Sequence, residues 1–277
     1  MIGVFDSGHG GLTILQALTR RLPARDFLYL GDHGHAPYGD RDAEEIYQLT
    51  IAAVERLFGR GCRLVILACN TAAVALRRLQ QTWLPHHYPQ HRVLGVLVPM
   101  VEEVTGMPWL ADPATTPYRG DARSIAVFAT RRTVDSRMYA QEIGKRAPSV
   151  RVLEQPCPKL AALIEQGAPR PEWAHFIQRY VAEMLAANGG QPPDAALLGC
   201  THYPLAADLF RAALPAGVRL LSQPAPTADS LAAYLDRHPG LDAPGSGRVK
   251  FLTSGEPQRV GAMASAFYGA RTPFIGI

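Results

Sequence analysis

Two cysteines stand where an enzyme could use them. Cys69 closes the apolar run Leu64–Ala68 and is followed by Asn70 and Thr71; Cys200 follows the run Ala195–Leu198 and is succeeded by Thr201 and His202. Runs of this kind read as strands, and in parallel α/β proteins ligands gather at the carboxyl ends of strands. A cysteine on its own is usually a small buried hydrophobe, and Cys62 and Cys157 are read that way. Cys69 and Cys200 differ in having polar successors and a titratable group within reach. His202 lies two residues beyond Cys200, and Asp6 ends the run Ile2–Phe5, a strand that can adjoin that of Cys69. An ordinary thiol has a pKa of about 8.5, so it needs such a neighbour to serve as a base at neutral pH. Two chemistries are open. Two thiols on opposite sides of one carbon could remove a proton and deliver another, or a single nucleophilic cysteine could be served by His202. Spacing along the chain does not choose between them.

Two further loops carry polar residues at strand ends. Asp6-Ser7-Gly8-His9-Gly10-Gly11 leads from the first apolar run into a helical pattern. Its glycines let backbone N–H groups approach a ligand, and a helix start favours an anion. No Gly-Lys-Ser/Thr follows, and the G-x-G-x-x-G spacing is incomplete, so neither a P-loop nor a dinucleotide site is expected. A plain turn capped by Asp6 is as good a reading from this loop alone. Asp32-His33-Gly34-His35-Ala36-Pro37-Tyr38-Gly39 ends the second run. Its histidines raise the question of zinc, but zinc takes three or four ligands. They are expected to be solvated loop residues, with no metal, while Pro37-Tyr38-Gly39 is expected to be a rigid turn that could present N–H groups.

The elements that must position these residues alternate. Strands are expected at Ile2–Phe5, Phe27–Leu30, Leu64–Ala68, Val93–Val98, Ile125–Ala129, Val150–Leu153, Ala195–Leu198, Val218–Leu221 and Val249–Leu252. They are apolar nearly throughout, as strands buried on both faces are. Helical patterns fall between them, including Ala43–Arg60, Thr71–Leu79, Thr133–Arg146 and Pro171–Ala187. The class is α/β with parallel sheets. A length of 277 residues suits two domains. Breaks at Gly106–Asp121 and Asn188–Asp194 suit a second unit inserted in the first: residues 1–98 with 210–277, and 99–209.

Composition narrows the classes. With 47% hydrophobic residues the chain can bury a core, which excludes disorder. Four cysteines are too few for a disulfide scaffold in a chain of this length. The net charge of +4 is scattered, with no basic stripe interleaved with aromatics, so nucleic acid is not an expected partner. No apolar run approaches the roughly 20 residues a bilayer span needs. Met1-Ile2-Gly3-Val4-Phe5 has no basic leader, and a cytoplasmic protein with reduced thiols is expected.

Taken together, these segments resemble glutamate racemases of the aspartate/glutamate racemase superfamily. The resemblance is carried by GVFDSGHGGL from Gly3, YLGDHGHAPYG from Tyr29, ACNTA from Ala68, CPKLAALIEQG from Cys157, LGCTHYPL from Leu198 and FLTSGEP from Phe251. It implies two pseudo-symmetric α/β domains with the site in the cleft between them. It implies interconversion of L- and D-glutamate without cofactor or metal, with D-glutamate used in peptidoglycan and hence in cell wall and cell shape. Cys69 and Cys200 would be the two bases, assisted by Asp6 and His202 respectively, with Glu165 an acidic residue near the site. Substrate contacts would fall to Asp6, Ser7, Tyr38, Gly39, Asn70, Thr71, Thr201 and His202. The Cys69 side would serve D-glutamate and the Cys200 side the L-isomer. The expected partner is the small amino acid, and assembly as a homodimer is left open.

The chain departs from the family pattern at His33-Gly34-His35, at Arg132 where glycine is usual, at Val98-Pro99-Met100 and at Gln223-Pro224-Ala225. The competing readings are an aspartate or hydantoin racemase of the same superfamily, a regulatory binding protein and a redox-active thiol protein. Superfamily decarboxylases generally keep one of the two cysteines, and here both are present.

Overall fold

The computed structural model describes residues 1–112, 115, 116, 118, 120–241 and 244–277. Among them, ten strands form two all-parallel sheets. In chain order they are β1 (Ile2–Asp6), β2 (Phe27–Gly31), β3 (Leu64–Leu67), β4 (Arg92–Gly95), β5 (Ser124–Ala129), β6 (Arg151–Pro156), β7 (Ala195–Gly199), β8 (Arg219–Leu221), β9 (Val249–Thr253) and β10 (Phe274–Gly276). One sheet runs β10-β9-β2-β1-β3-β4 and the other β6-β5-β7-β8.

The chain divides into two compact units, Met1–Val96 with Pro224–Ile277, and Leu97–Gln223. The second is thus inserted in the first. Its far bound differs from the expected 209 because β8 pairs with β7, which binds residues 219–221 to the inserted unit. The Gly106–Asp121 stretch lies within that unit, between the helix Leu97–Thr105 and β5, and its residues 113, 114, 117 and 119 fall outside the described residues.

Each sheet contains the same permutation. In the first unit the opening four strands lie side by side in the order second, first, third, fourth; β5 to β8 repeat it. The chain leaves β1 in one direction for β2 and crosses to its other side for β3. Such a reversal opens a crevice at the carboxyl ends of the first and third strands, where α/β proteins bind ligands. The interior strands β1, β2, β3, β5 and β7 are buried at every residue, whereas the edge strands β4, β6, β8 and β10 each show exposed or half-exposed positions. Helices covering both faces of a parallel sheet account for the unbroken apolar runs.

Several elements end differently from the sequence expectation. β4 stops at Gly95 because its partner β3 stops at Leu67, opposite it; Val96–Val98 then turn into the helix Leu97–Thr105. The pattern Thr71–Leu79 breaks into the short turns Asn70–Ala73 and Leu76–Arg78, followed by a π-helical turn, Leu79–Trp83. Thr133–Arg146 breaks at Arg137, whose φ of 57° is left-handed. β10 is three residues long and follows Pro273, too short for a periodic signal. By contrast Ala43–Phe58 starts as written: the Asp42 carboxylate accepts the Glu45 N–H at 2.8 Å, with Glu44 and Glu45 in the first turn. No helix among the described residues is long and apolar enough to cross a membrane.

One glycine contact ties the fold to the loop after β1. A Cβ at Gly11, the first residue of the helix Gly11–Arg21, would sit 2.5 Å from the Asp6 Cβ. Gly144, inside the helix Met138–Arg146, has nothing within 4 Å of the same position. Gly11→Ala is expected to destabilise by about 1–3 kcal/mol through overpacking. Gly144→Ala is expected to stabilise by about 0.5–1 kcal/mol through helix propensity. Urea unfolding of the two variants beside the parent checks the opposite signs.

Candidate active site

In the first unit β1 and β3 pair in register, Phe5 opposite Leu67, so Asp6 and Cys69 leave neighbouring strand ends. Asp6 is fully buried, and its Oδ1 accepts the Gly8 N–H at 2.8 Å, which folds the glycine loop back over the strand end. Tyr29 on β2 holds the same loop by donating its hydroxyl to the Gly8 carbonyl at 2.5 Å. Ser7 Oγ lies 3.3 Å from Cys69 Sγ. Cys69 is the N-cap of the single turn Asn70–Ala73, and its sulfur accepts the Ala72 N–H at 3.4 Å. Burial, and after it the negative charge of Asp6, push the Cys69 thiol up to about 12, against the hydrogen bonds from Ser7 and Ala72. Asn70 and Thr71 are buried beside it.

The loop after β2 is organised by Asp32. Its Oδ2 accepts the Tyr38 hydroxyl at 2.6 Å, and its Oδ1 lies 2.6 Å from Ser254 Oγ and 2.9 Å from His35 Nδ1. Burial by itself would raise the Asp32 carboxyl; the hydrogen bonds from His35, Ser254 and Tyr38 outweigh it and hold the group below its ordinary value. Burial, then the Asp32 charge, push the Tyr38 hydroxyl far above its ordinary range, so it stays protonated and donates. Tyr38 and Cys69 share one buried cluster with Phe5, Leu67 and Ala72.

The two loop histidines part company. His35 is half exposed, as expected. His33 is not a solvated residue. Its ring packs edge-on to His9 at 4.3 Å and to Phe274 at 5.7 Å, and its Nδ1 lies 2.9 Å from Thr253 Oγ1. The cause is a short turn, His33–His35, that tucks the first ring under the end of β9 while the second stays outside. Their Nδ1 atoms are engaged by separate partners, Thr253 and Asp32, and His9 turns its Nε2 to the Val260 carbonyl at 2.9 Å. Arg132 sits half-buried in the first turn of Arg131–Asp135.

In the second unit β5 and β7 pair, and Cys200 follows β7 as Cys69 follows β3. Cys200 is buried, with Sγ 3.7 Å from His202 Nδ1, while His202 Nε2 pairs with the Glu165 carboxylate at the end of the helix Leu160–Glu165. Burial by itself would lower His202; the Glu165 charge, followed by Cys200, outweighs it and carries the imidazole well above its ordinary value, so it is a cation. Thr201 is buried at the same turn. Tyr139 and Gln223 are also buried in this unit, and Gln223 Nε2 donates to the Tyr139 hydroxyl at 3.0 Å.

Within the first unit, then, the geometry gathers Asp6, Ser7, Cys69, Asn70 and Thr71, with Tyr38 and Gly39 in the loop that Asp32 holds. Within the second it gathers Cys200, Thr201, His202 and Glu165. Asp32, Ser254 and Tyr139 were not singled out from the sequence. Asp32 and Ser254 do stand in two of the motifs quoted above, each at a strand end, and that position was the available signal. Tyr139 lies in the first turn of the helix Met138–Arg146, inside what reads from the sequence as one helical pattern, Thr133–Arg146, and gave none.

The model of the family Asp/Glu/Hydantoin racemase matches residues 14–231. A glutamate racemase of Phenylobacterium zucineum (strain HLK1) is 50% identical over 279 residues, covering 99% of this chain and 98% of that protein. Among solved structures, glutamate racemase isoform RacE1 from Bacillus anthracis superposes with a TM-score of 0.82 at 29% identity, covering 100% of this chain and 97% of that one. Glutamate racemase from Francisella tularensis subsp. tularensis SCHU S4, solved in complex with D-glutamate, gives 0.81 at 25% identity over 99% and 95%. With a matching family model over most of its length and a half-identical relative over nearly all of it, the chain belongs to the Asp/Glu/hydantoin racemase family.

Proposed function

We propose that this protein interconverts L- and D-glutamate, with Cys69 and Cys200 as bases for opposite faces of the α-carbon. The observation that carries the reading is the repeated placement. Each sheet has its third strand followed within two residues by a buried cysteine, beside the crevice its strand order creates, and each cysteine has a different titratable neighbour, Asp6 for Cys69 and His202 for Cys200. Glutamate as substrate follows from the relatives, and the Francisella protein was captured with D-glutamate.

The α-proton of an amino acid is weakly acidic, and no electron sink such as pyridoxal phosphate is invoked. The residues present must therefore supply the base, the acid and the stabilisation of the carbanion. For L-glutamate, the Cys200 sulfur takes the proton, with the His202 imidazolium as the cationic partner of the thiolate form and Glu165 holding that imidazolium in place. The Cys69 thiol gives a proton to the opposite face and yields D-glutamate. Its high pKa keeps it protonated and ready to donate. For the reverse direction the roles exchange, and Asp6 then matters most. Its negative charge opposes a Cys69 thiolate until the substrate ammonium group arrives to offset it. Ser7, Asn70, Thr71, Tyr38, Gly39 and Thr201 offer hydroxyl, amide and N–H donors for the substrate carboxylates, where charge builds in the carbanion. Thiolate chemistry needs reduced cysteines, which fits a cytoplasmic reaction supplying D-glutamate for peptidoglycan.

Circular dichroism of D- and L-glutamate incubated with protein dialysed against EDTA tests the reading, with aspartate as the competing substrate. Loss of either enantiomer's signal toward the racemate is expected, and the activity should survive the chelator. Cys69→Ala and Cys200→Ala are each expected to lower racemisation by roughly 10²–10⁴-fold. In deuterated water Cys200→Ala should retain slow α-proton exchange of D-glutamate, and Cys69→Ala that of L-glutamate. Near-normal racemisation by either variant would refute a two-base reaction.

A second expectation follows from the raised Cys69 thiol. In the substrate-free protein only the thiolate is alkylated, so a pKa of about 12 means that labelling climbs with pH well past the range of an ordinary cysteine. Iodoacetamide labelling of Cys69, read by mass spectrometry, should keep rising above about pH 10, where a thiol with the usual value of about 8.5 has levelled off. A plateau at or below about pH 10 would contradict it.

A further inference from the structure

Two motifs, YLGDHGHAPYG and FLTSGEP, take no direct part in the chemistry proposed above beyond Tyr38 and Gly39. The structure brings them together at the ends of β2 and β9, which pair in register with Gly31 opposite Thr253. Three residues of one motif meet the other. His33 Nδ1 lies 2.9 Å from Thr253 Oγ1, Gly34 N–H donates to Ser254 Oγ at 2.9 Å, and Ser254 Oγ donates to Asp32 Oδ1 at 2.6 Å. The backbones pack closely here. A Cβ at Gly34 would meet the Ser254 carbonyl oxygen at 2.8 Å, and one at Gly255 would meet the His33 Cβ at 3.0 Å.

The far end of this chain of contacts is Tyr38. Asp32, 8% exposed, takes the Tyr38 hydroxyl at 2.6 Å, and Tyr38 is itself 1% exposed. A buried carboxylate that loses a donor is left with an uncompensated charge, which is costly. The Tyr38 ring therefore cannot swing without a penalty, and the backbone attached to it is held as well. The next turn is closed by the Arg41 N–H on the Tyr38 carbonyl at 3.2 Å and by Arg41 Nε on the His35 carbonyl at 2.8 Å.

We propose that Asp32 and Ser254 are positioning residues for substrate binding: Ser254 fixes the Asp32 carboxylate, Asp32 fixes the Tyr38 hydroxyl, and the pair thereby set the Tyr38–Gly39 backbone that receives the amino acid. The proposal rests on the racemase reading for what Tyr38 and Gly39 bind, but the holding action itself does not. The relevant chemistry is orientation: donors kept in place beforehand lose less on binding than donors that must be ordered by the substrate. His35 shares Oδ1 with Ser254 from the solvent side and is a lesser support, being half exposed.

Ser254→Ala removes one hydroxyl at a half-buried site and is the gentlest test, with Asp32→Asn and Tyr38→Phe as companions. KM for both enantiomers is expected to rise about tenfold in Ser254→Ala, with kcat changed less than about threefold. Ser254→Thr, which keeps the hydroxyl, should restore most of the loss. Tyr38→Phe should raise KM similarly, and adding Ser254→Ala to it should do little more, because both act through one bond. Additive effects in the double variant, or a parental KM in Ser254→Ala, would overturn the proposal. Hydrogen–deuterium exchange supplies a readout independent of turnover. The amides of residues 38–41 should exchange faster in Ser254→Ala and in Asp32→Asn than in the parent, while those of β1 keep their protection. Unchanged exchange at 38–41 would overturn the holding action. Should the parent protein fail to racemise glutamate, the functional reading falls and the exchange measurement still decides whether Asp32 and Ser254 hold the turn.

Discussion

A thiol that must exchange a proton with carbon needs a dry site, and a dry site resists the thiolate. The rest of the architecture can be understood as a response to that conflict. Both cysteines are about nine-tenths buried, at the ends of interior strands. On the proposed reading, burial keeps water away from the carbanion, strengthens every nearby dipole and prevents competing protonation. It also makes ionisation costly, as the raised Cys69 thiol shows. What the sheet supplies is a fixed address for each sulfur; what the loops supply is the charge that decides when it ionises.

The two addresses are equivalent in topology and opposite in electrostatics. Cys69 has a buried carboxylate next to it and takes hydrogen bonds from Ser7 and Ala72; Cys200 has an imidazolium braced by Glu165. On the proposed reading the difference suits a reversible reaction with a charged substrate. Near His202 the thiolate has a cation of the protein's own. Near Asp6 it has an anion, and the compensating positive charge must come from the amino acid. Ionisation on that side is then tied to occupancy, which protects an unoccupied site from carrying a reactive thiolate.

Much of this was legible in the chain. Nine strands were located within a few residues because parallel strands buried on both faces leave unbroken apolar runs, and the polar residues that punctuate those runs mark the strand ends where the cysteines lie. Asp6 beside Cys69 was legible only as one possible adjacency of two strand ends, which the pairing of β1 with β3 realises. Three things were not. The break at Arg137 depends on a single left-handed residue, to which helical periodicity is blind. The bound of the inserted unit depends on a pairing between β7 and β8 that no local pattern announces. His33 reads as a loop residue because loops are usually solvated; its burial comes from β9 and Phe274, more than two hundred residues away.

The last of these misreadings points to how the motifs are distributed. Residues that touch a small substrate could all lie at the ends of β1, β3 and β7, yet the recognisable segments extend to FLTSGEP near the carboxyl end. Ser254 and Thr253 explain that spread without any chemistry of their own. β9 sits beside β2 on the side of the sheet away from β3, so its end abuts the loop that carries Tyr38 and not the loop that carries Cys69. The eleven residues 32–42 between β2 and the helix Ala43–Phe58 have many conformations open to them, and the hydrogen bonds of Asp32 to Ser254 and to Tyr38 select one. The carboxylate of Asp32 is well suited to that task because it accepts from Ser254, His35 and Tyr38 at once, joining two strand ends and a turn through a single group. A segment with no reacting atom can thus be as tightly constrained as one that has them, because the position of the donors depends on it.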